Sequence, residues 1–175
     1  MALEQYDLTP ADYGGLQGKC HEALILHRPD VIEALHESMI EAGAEVVQTD
    51  SFQASRLKLE EWGLGEHTLE INRKAAEIAR EAVGEDRFVA GSIGPTGMLP
   101  ASDDPTLGNI SFRALVDVFA EQAEGLIEGG SDLLIVFSTS TPFESGHGYS
   151  RFSAFAILEH GADFTAAARD LVARG

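Results

Sequence analysis

Apolar residues recur at helical spacing at Val31, Ile32, Leu35, Met39 and Ile40. The stripe predicts an amphipathic helix that starts at Pro29, a residue suited to a first turn, and stops at Gly43. Glu45-Val46-Val47-Gln48-Thr49 is short and β-branched and runs into polar Asp50-Ser51, which predicts a strand opening into a loop. Leu69, Ala75, Ile78, Ala79, Ala82 and Val83 mark a second amphipathic helix ended by Gly84, with Glu70 and Lys74 spaced for a surface pair. Phe88–Ile93 predicts a second strand, followed by the breakers Gly94-Pro95-Thr96-Gly97 and a loop to Asn109. In the third helix Ser111 is the cap, Phe112, Leu115, Phe119, Ala123, Leu126 and Ile127 form the buried face, and Gly129-Gly130 is the stop. Leu133–Phe137 is continuously apolar, as in a strand covered on both faces.

Three helix-then-strand units of near-constant length predict parallel strands, because a parallel connection needs a dozen or more residues and usually a helix. The class is α/β. The spacing fits consecutive units of a (β/α)8 barrel, and a small open sheet gives the same pattern. After Phe137 the character changes: residues 138–150 read as a loop, and Phe152–His160 and Asp163–Arg174 each have helical character. With 175 residues the chain is expected to hold one domain, residues 1–137 as its (β/α) body and 138–175 as a divergent tail of the same domain.

The formal net charge of −17 repels phosphate backbones and anionic lipid heads, so neither nucleic acid nor membrane is an expected partner. The N-terminal residues lack a basic start followed by an apolar run, and no apolar stretch approaches the length of a span; the expected location is cytoplasmic. Cys20 is the single cysteine, which excludes an internal disulfide and cannot alone make a structural zinc site; it reads as a partly buried thiol.

Thr49-Asp50-Ser51-Phe52 and Gly94-Pro95-Thr96-Gly97 fall at the carboxyl ends of predicted strands, the face on which barrel enzymes carry their sites. Neither segment supplies a nucleophile with an adjacent base. The glycine-rich segment lacks the Lys-Ser/Thr ending of a phosphate loop and the glycine spacing of a dinucleotide fold. His147 with Glu144 reads as solvated loop polarity, and His21, His27, His36, His67 and His160 show no ligand spacing. Glu33, Glu37 and Glu41, one turn apart, read as a solvated helix face, and Trp62 and Tyr13 as local packing.

Taken together, Arg28-Pro29-Asp30-Val31-Ile32, Glu41-Ala42-Gly43-Ala44, Thr49-Asp50-Ser51-Phe52, Asn72-Arg73-Lys74-Ala75-Ala76, Val89 through Gly97 and Glu124 through Gly130 resemble the homocysteine S-methyltransferase family, in order and at matching spacings from about residue 7 to 136. The stretch is similar to the amino-terminal homocysteine-binding domain of cobalamin-dependent methionine synthases. The resemblance implies a (β/α)8 TIM barrel, here partial with about three recognisable strands, that methylates the sulfur of homocysteine to form methionine. It implies a substrate pocket lined by Thr49, Asp50, Ser51, Ser92, Gly94 and Pro95. It also implies zinc, because a metal lowers the thiol pKa and makes the sulfur a nucleophile.

The family holds that zinc on three cysteines of later strands, and Cys20 corresponds to none of them; no metal ligand and no catalytic residue is assigned in this chain. Cobalamin enters only through other modules. The family's first-strand acidic loop precedes Met1, and its Glu-Thr after the third strand is here Phe137-Ser138. The expectation is therefore a homocysteine S-methyltransferase-like domain that is incomplete and inactive alone, partnered by homocysteine and by a second copy or the missing barrel half. The alternative is a non-catalytic remnant or interaction module that self-associates through its open barrel.

Overall fold

The computed structural model describes Leu3, residues 6–16, 20–98 and 110–137, and the backbone of residues 147–150. A 3-10 turn at Pro10–Tyr13 is closed by a capping box between Thr9 and Asp12. A second, at His21–Ala23, runs into α1 (Leu24–His27), and α2 (Pro29–Glu41) begins at the predicted proline. Arg28 joins these pieces, its guanidinium donating to Asp12 at 2.8 Å and, through two nitrogens, to both oxygens of Asp30 at 2.8 Å. Thr9 and Arg28 together hold the Asp12 carboxyl at about 2, well below the usual range, with the Thr9 hydrogen bonds the larger cause.

The chain continues through β1 (Val46–Gln48), α3 (Arg56–Glu60), a 3-10 turn at Gly65–His67, α4 (Thr68–Val83), β2 (Phe88–Ile93), α5 (Phe112–Glu128), β3 (Leu133–Val136) and β4 (His147–Ser150). Ser111 caps α5 as expected, its hydroxyl accepting from the Ala114 N–H at 3.1 Å. Lys74 meets Glu70 at 2.8 Å on the surface of α4.

The four strands form one sheet in the order β1-β2-β3-β4. β1, β2 and β3 are parallel, paired Val46 with Phe88 and Ala90 with Leu133, and α4 and α5 are the crossovers between them. β4 corrects the expectation of a loop over residues 138–150: it pairs antiparallel to β3, Val136 opposite His147 and Leu133 opposite Ser150. His147-Gly148-Tyr149-Ser150 lacks apolar alternation, so pairing with β3 and not local propensity makes it a strand. The predicted helices of the tail, Glu144 and the loop 99–109 lie outside the described residues.

Helices cover one face of the sheet. Val47 and Val89 pack with Ala79 and Val83 of α4, and Ile93, Leu134 and Val136 pack with Leu115, Phe119, Ala123 and Leu126 of α5. Helices α4 and α5 cross so closely that a Cβ on Gly129 would stand 2.1 Å from the Arg73 carbonyl oxygen, which is why the end of α5 tolerates only glycine there. A third cluster joins Leu24 and Ile25 of α1, Ile32 of α2, Leu59 and Ile71, with Tyr13 and Cys20 inside it and Trp62 against it. Cys20 is fully buried, beyond the partial burial expected.

The inward face of α2 also differs from the predicted stripe: Met39 is exposed, and His36 takes the interior position beside Val31 and Ile32. Among the acids of that helix, Glu37 and Glu41 are exposed and Glu33 is half-buried. The sheet face opposite the helices carries Val46, Gln48 and Phe88, with Val46 46% and Phe88 56% exposed. Among the described residues no helix is long and apolar enough to cross a membrane.

Candidate substrate-binding site

The carboxyl ends of β1 and β2 are locked together by a closed ring of hydrogen bonds. The Ser92 N–H donates to Thr49 Oγ1 at 2.9 Å, and Ser51 Oγ donates to the Ser92 carbonyl at 2.8 Å. The Thr49 and Ser51 hydroxyls lie 2.6 Å apart, and with the Ser51 proton committed to Ser92, Thr49 is the donor between them. All three residues are buried. Their protons serve the scaffold.

The loop after β1 is held from both sides by buried amides on helices. Gln122 Nε2 of α5 donates to the Ser51 carbonyl at 2.8 Å, and Asn72 Nδ2 of α4 donates to the Ala54 and Thr68 carbonyls, both at 2.8 Å. The Gly94 N–H donates to the Phe52 carbonyl at 2.9 Å, and a Cβ on Gly94 would come within 2.3 Å of that oxygen, so this approach of two strand ends requires glycine. The Phe137 N–H donates to the Ile93 carbonyl at 2.8 Å and brings the Phe137 ring to 5.8 Å from that of Phe52. Both rings stay partly open to solvent, 41% exposed for Phe52 and 39% for Phe137.

Asp50 lies between Thr49 and Ser51, just past the end of β1. Its Oδ2 is shut off from solvent and has no hydrogen-bond partner. Burial first, and the charge of Glu22 second, push its carboxyl up to about 6, with His21 acting in the opposite sense. Glu22 is itself only 6% exposed; its Oε1 accepts from the Gln53 N–H at 2.8 Å, and its Oε2 has Cys20 Sγ at 3.8 Å. Burial, then the same Glu22 charge, raise the Cys20 thiol to about 11. Burial and the charges of Asp12 and Asp50 also raise the Tyr13 phenol.

Of the six residues expected to line a pocket, the structure therefore brings all to one end of the sheet. Asp50 and Pro95 reach solvent, whereas Thr49, Ser51, Ser92 and Gly94 are buried. Glu22, Asn72 and Gln122 are additions that sequence reasoning missed. The two amides carried a signal: each is a polar residue three positions along from a member of an apolar helical stripe, Leu69 for Asn72 and Phe119 for Gln122. Glu22 carried none, since only the tertiary fold places it against the end of β1. Among the described residues, no three His, Cys, Asp or Glu side chains gather closely enough to hold a metal ion.

The model of the homocysteine S-methyltransferase family matches residues 1–145, beyond the point near Val136 at which the quoted motifs end. Over 140 residues the chain is 35% identical to the methionine synthase of Mycobacterium tuberculosis (strain ATCC 25618 / H37Rv) and 34% identical to that of Mycobacterium leprae (strain TN), in each case over 77% of this chain and 11% of the relative. It thus spans about a tenth of the length of these curated relatives. The solved homocysteine methyltransferase MmuM from Escherichia coli, in its metallated form, superposes with a TM-score of 0.61 and 25% identity over 91% of this chain and 56% of that one. Its oxidized form gives the same score over 55% of its length.

Proposed function

Since the chain belongs to the homocysteine S-methyltransferase family, we propose that it forms the strand-end part of a homocysteine pocket in a reaction that transfers a methyl group to the homocysteine sulfur and yields methionine. The observation that carries this reading is the meeting of the carboxyl ends of β2 and β3 with the Thr49–Phe52 segment after β1, through Ser92 to Thr49 and Ser51, Gly94 to Phe52 and the Phe52–Phe137 ring pair, at the face where barrel enzymes do their chemistry. In this reading Asp50 and Pro95 face the substrate. Thr49, Ser51, Ser92 and Gly94 fix the shape of that end, and residues 1–137 are the partial barrel of which 138–175 are the tail. The reaction is assigned to the cytoplasm.

A thiolate zinc centre does not fit the described residues. Cys20 is the single thiol of the chain, and its burial beside Glu22 holds it protonated at neutral pH, whereas the zinc ligand is the thiolate. The part we assign to this chain is to bind and orient homocysteine; the sulfur-activating metal and the methyl donor, cobalamin among the candidates, belong to protein beyond the described residues. The test is a titration of the purified full chain with homocysteine, alongside zinc analysis and an assay for methionine. Binding without methionine formation is expected. Failure to bind homocysteine would refute the reading, and methionine made by the isolated chain with stoichiometric zinc would refute the division of labour.

One observation favours a second reading, that of a non-catalytic module that self-associates. The sheet face opposite the helices exposes Val46 and Phe88, and patches of this kind drive association. Sedimentation equilibrium tests it: association that is lost in Phe88→Ser supports the module, and a monomer at high concentration excludes it.

A further inference from the structure

The parallel strands alternate between two environments. Val47, Val89, Leu134 and Val136 turn toward α4 and α5, so Val46, Phe88, Leu133 and Ile135 fall on the opposite face of the sheet. That face is apolar and unevenly sheltered. Phe88 is 56% exposed and Val46 46%, whereas Leu133 and Ile135 are half-buried and Ala90, paired with Leu133, is fully buried. The residues that β4 sets opposite Leu133 and Ile135 are Ser150 and Gly148, its two smallest, so β4 supplies little of this cover. Shelter therefore grows toward the edge from which the chain leaves the sheet.

We propose that residues 151–175, which lie outside the described residues, fold back over this face as an intramolecular strap seated on Val46, Phe88, Leu133 and Ile135. The inference goes beyond the homocysteine reading and does not depend on it. Position and length select this occupant. Ser150 is paired with Leu133, so residue 151 starts at the border of the face. Crossing four strands takes about 15 Å at the usual strand spacing, and the segment would span about 37 Å even if wholly helical.

Sequence and charge point the same way. Phe164, Ala168, Leu171 and Val172 recur at helical spacing and make one apolar stripe, with Phe152 and Phe155 ahead of it. Arg151, Arg169 and Arg174 balance Glu159, Asp163 and Asp170, so the segment is neutral. A second copy, the occupant in the module reading above, would bring a further −17 against the same −17. Tethering widens the difference, because a linked segment acts at an effective concentration of about millimolar.

The experiment uses the full chain with Gln48→Cys, an exposed position on the open face, paired in turn with Ala154→Cys, Ala162→Cys or Ala173→Cys. Cys20 is buried and stays out of the exchange. Under mild oxidation at least one pair is expected to give a disulfide within one chain, seen on a non-reducing gel at the monomer mass. Glu37→Cys, on the exposed side of α2, is the control and is expected to give none with the same three partners. A second measurement is independent of the cysteines: Leu171→Asp is expected to raise the fluorescence of an added naphthalene sulfonate dye severalfold, and Phe88→Ser in the same chain to return half of that rise or more. Circular dichroism confirms that each variant is folded. No disulfide, disulfides only between chains, equal yields with Gln48→Cys and Glu37→Cys, or a dye signal that Leu171→Asp leaves unchanged each overturn the strap, and the second of these assigns the face to another copy.

Discussion

Replacing Asp50 by asparagine removes the ionisable group while keeping its size, and its effect on stability should depend on pH in a definite sense. The carboxyl is held at about 6 in the folded chain against an ordinary value of 3.8. Between those values the folded chain keeps a proton that the unfolded chain has released, so stability falls as pH rises through the window and the full cost is present above it. At about 1.4 kcal/mol for each tenfold change in proton affinity, that cost is about 3 kcal/mol at most, and contact of the side chain with solvent trims it. The amide introduced by Asp50→Asn would leave its own buried group unpaired, a loss of about 1 kcal/mol. The expected net effect is a gain of about 1–2 kcal/mol at pH 7.5, vanishing or reversing near pH 3.5. Urea denaturation of both chains at the two pH values, with equal m-values, measures it. A variant no more stable than the parent at pH 7.5, or a gain identical at both values, would refute the account of Asp50 as a carboxylate ionised against its surroundings.

His36 should behave in the opposite sense. Burial lowers its imidazole from 6.5 to about 4 and both ring nitrogens lack partners, so the stability present above pH 6.5 is lost as pH falls toward 4, by about 3 kcal/mol. His36→Leu should therefore raise the thermal midpoint more at pH 4.5 than at pH 7.5, and a uniform shift would contradict this. Arg80 donates to the Gly84, Arg87 and Gly130 carbonyls and to Asp132 at the amino ends of the strands, so Arg80→Ala should cost about 2–3 kcal/mol in denaturant unfolding. The same variant should leave the affinity for homocysteine unchanged, and a tenfold loss of affinity would show that the two ends of the sheet are not independent. Gly94→Ala, which forces a methyl onto the Phe52 carbonyl, should cost about 1–3 kcal/mol and alter the near-ultraviolet signal of the Phe52–Phe137 pair; an unchanged spectrum and stability would rule out the close approach.

The elements that were legible beforehand are those long enough to repeat. α2, α4 and α5 span several turns, and β2 coincides with its predicted Phe88–Ile93 bounds because an apolar run stands between clear breakers. α1 and α3, with four and five residues, complete too few turns to show a period, and β4 exists through its partner strand. In the site, Asp50 and Ser51 stood out as polar residues ending an apolar strand. Glu22 did not, because what gives it meaning is proximity to Asp50 across a stretch of chain that includes all of α2. His36 shows the converse: an apolar stripe forecasts which side of a helix turns inward, yet a polar ring can occupy the inward place when the neighbouring methionine turns out.

The reversed direction of β4 decides where the backbone enters and leaves. Val136 and His147 face each other, so the stretch between them starts and finishes at the carboxyl-end rim of the parallel strands, unlike α4 and α5, which carry the chain back to the opposite rim before the next strand. Ser150, opposite Leu133, then delivers the polypeptide to that opposite rim, near the anchor made by Arg80 and Asp132. A residue grafted between Val136 and His147 would thus be tethered at both ends on the same rim of the sheet as the carboxyl end of β2, where Ile93 pairs with Val136.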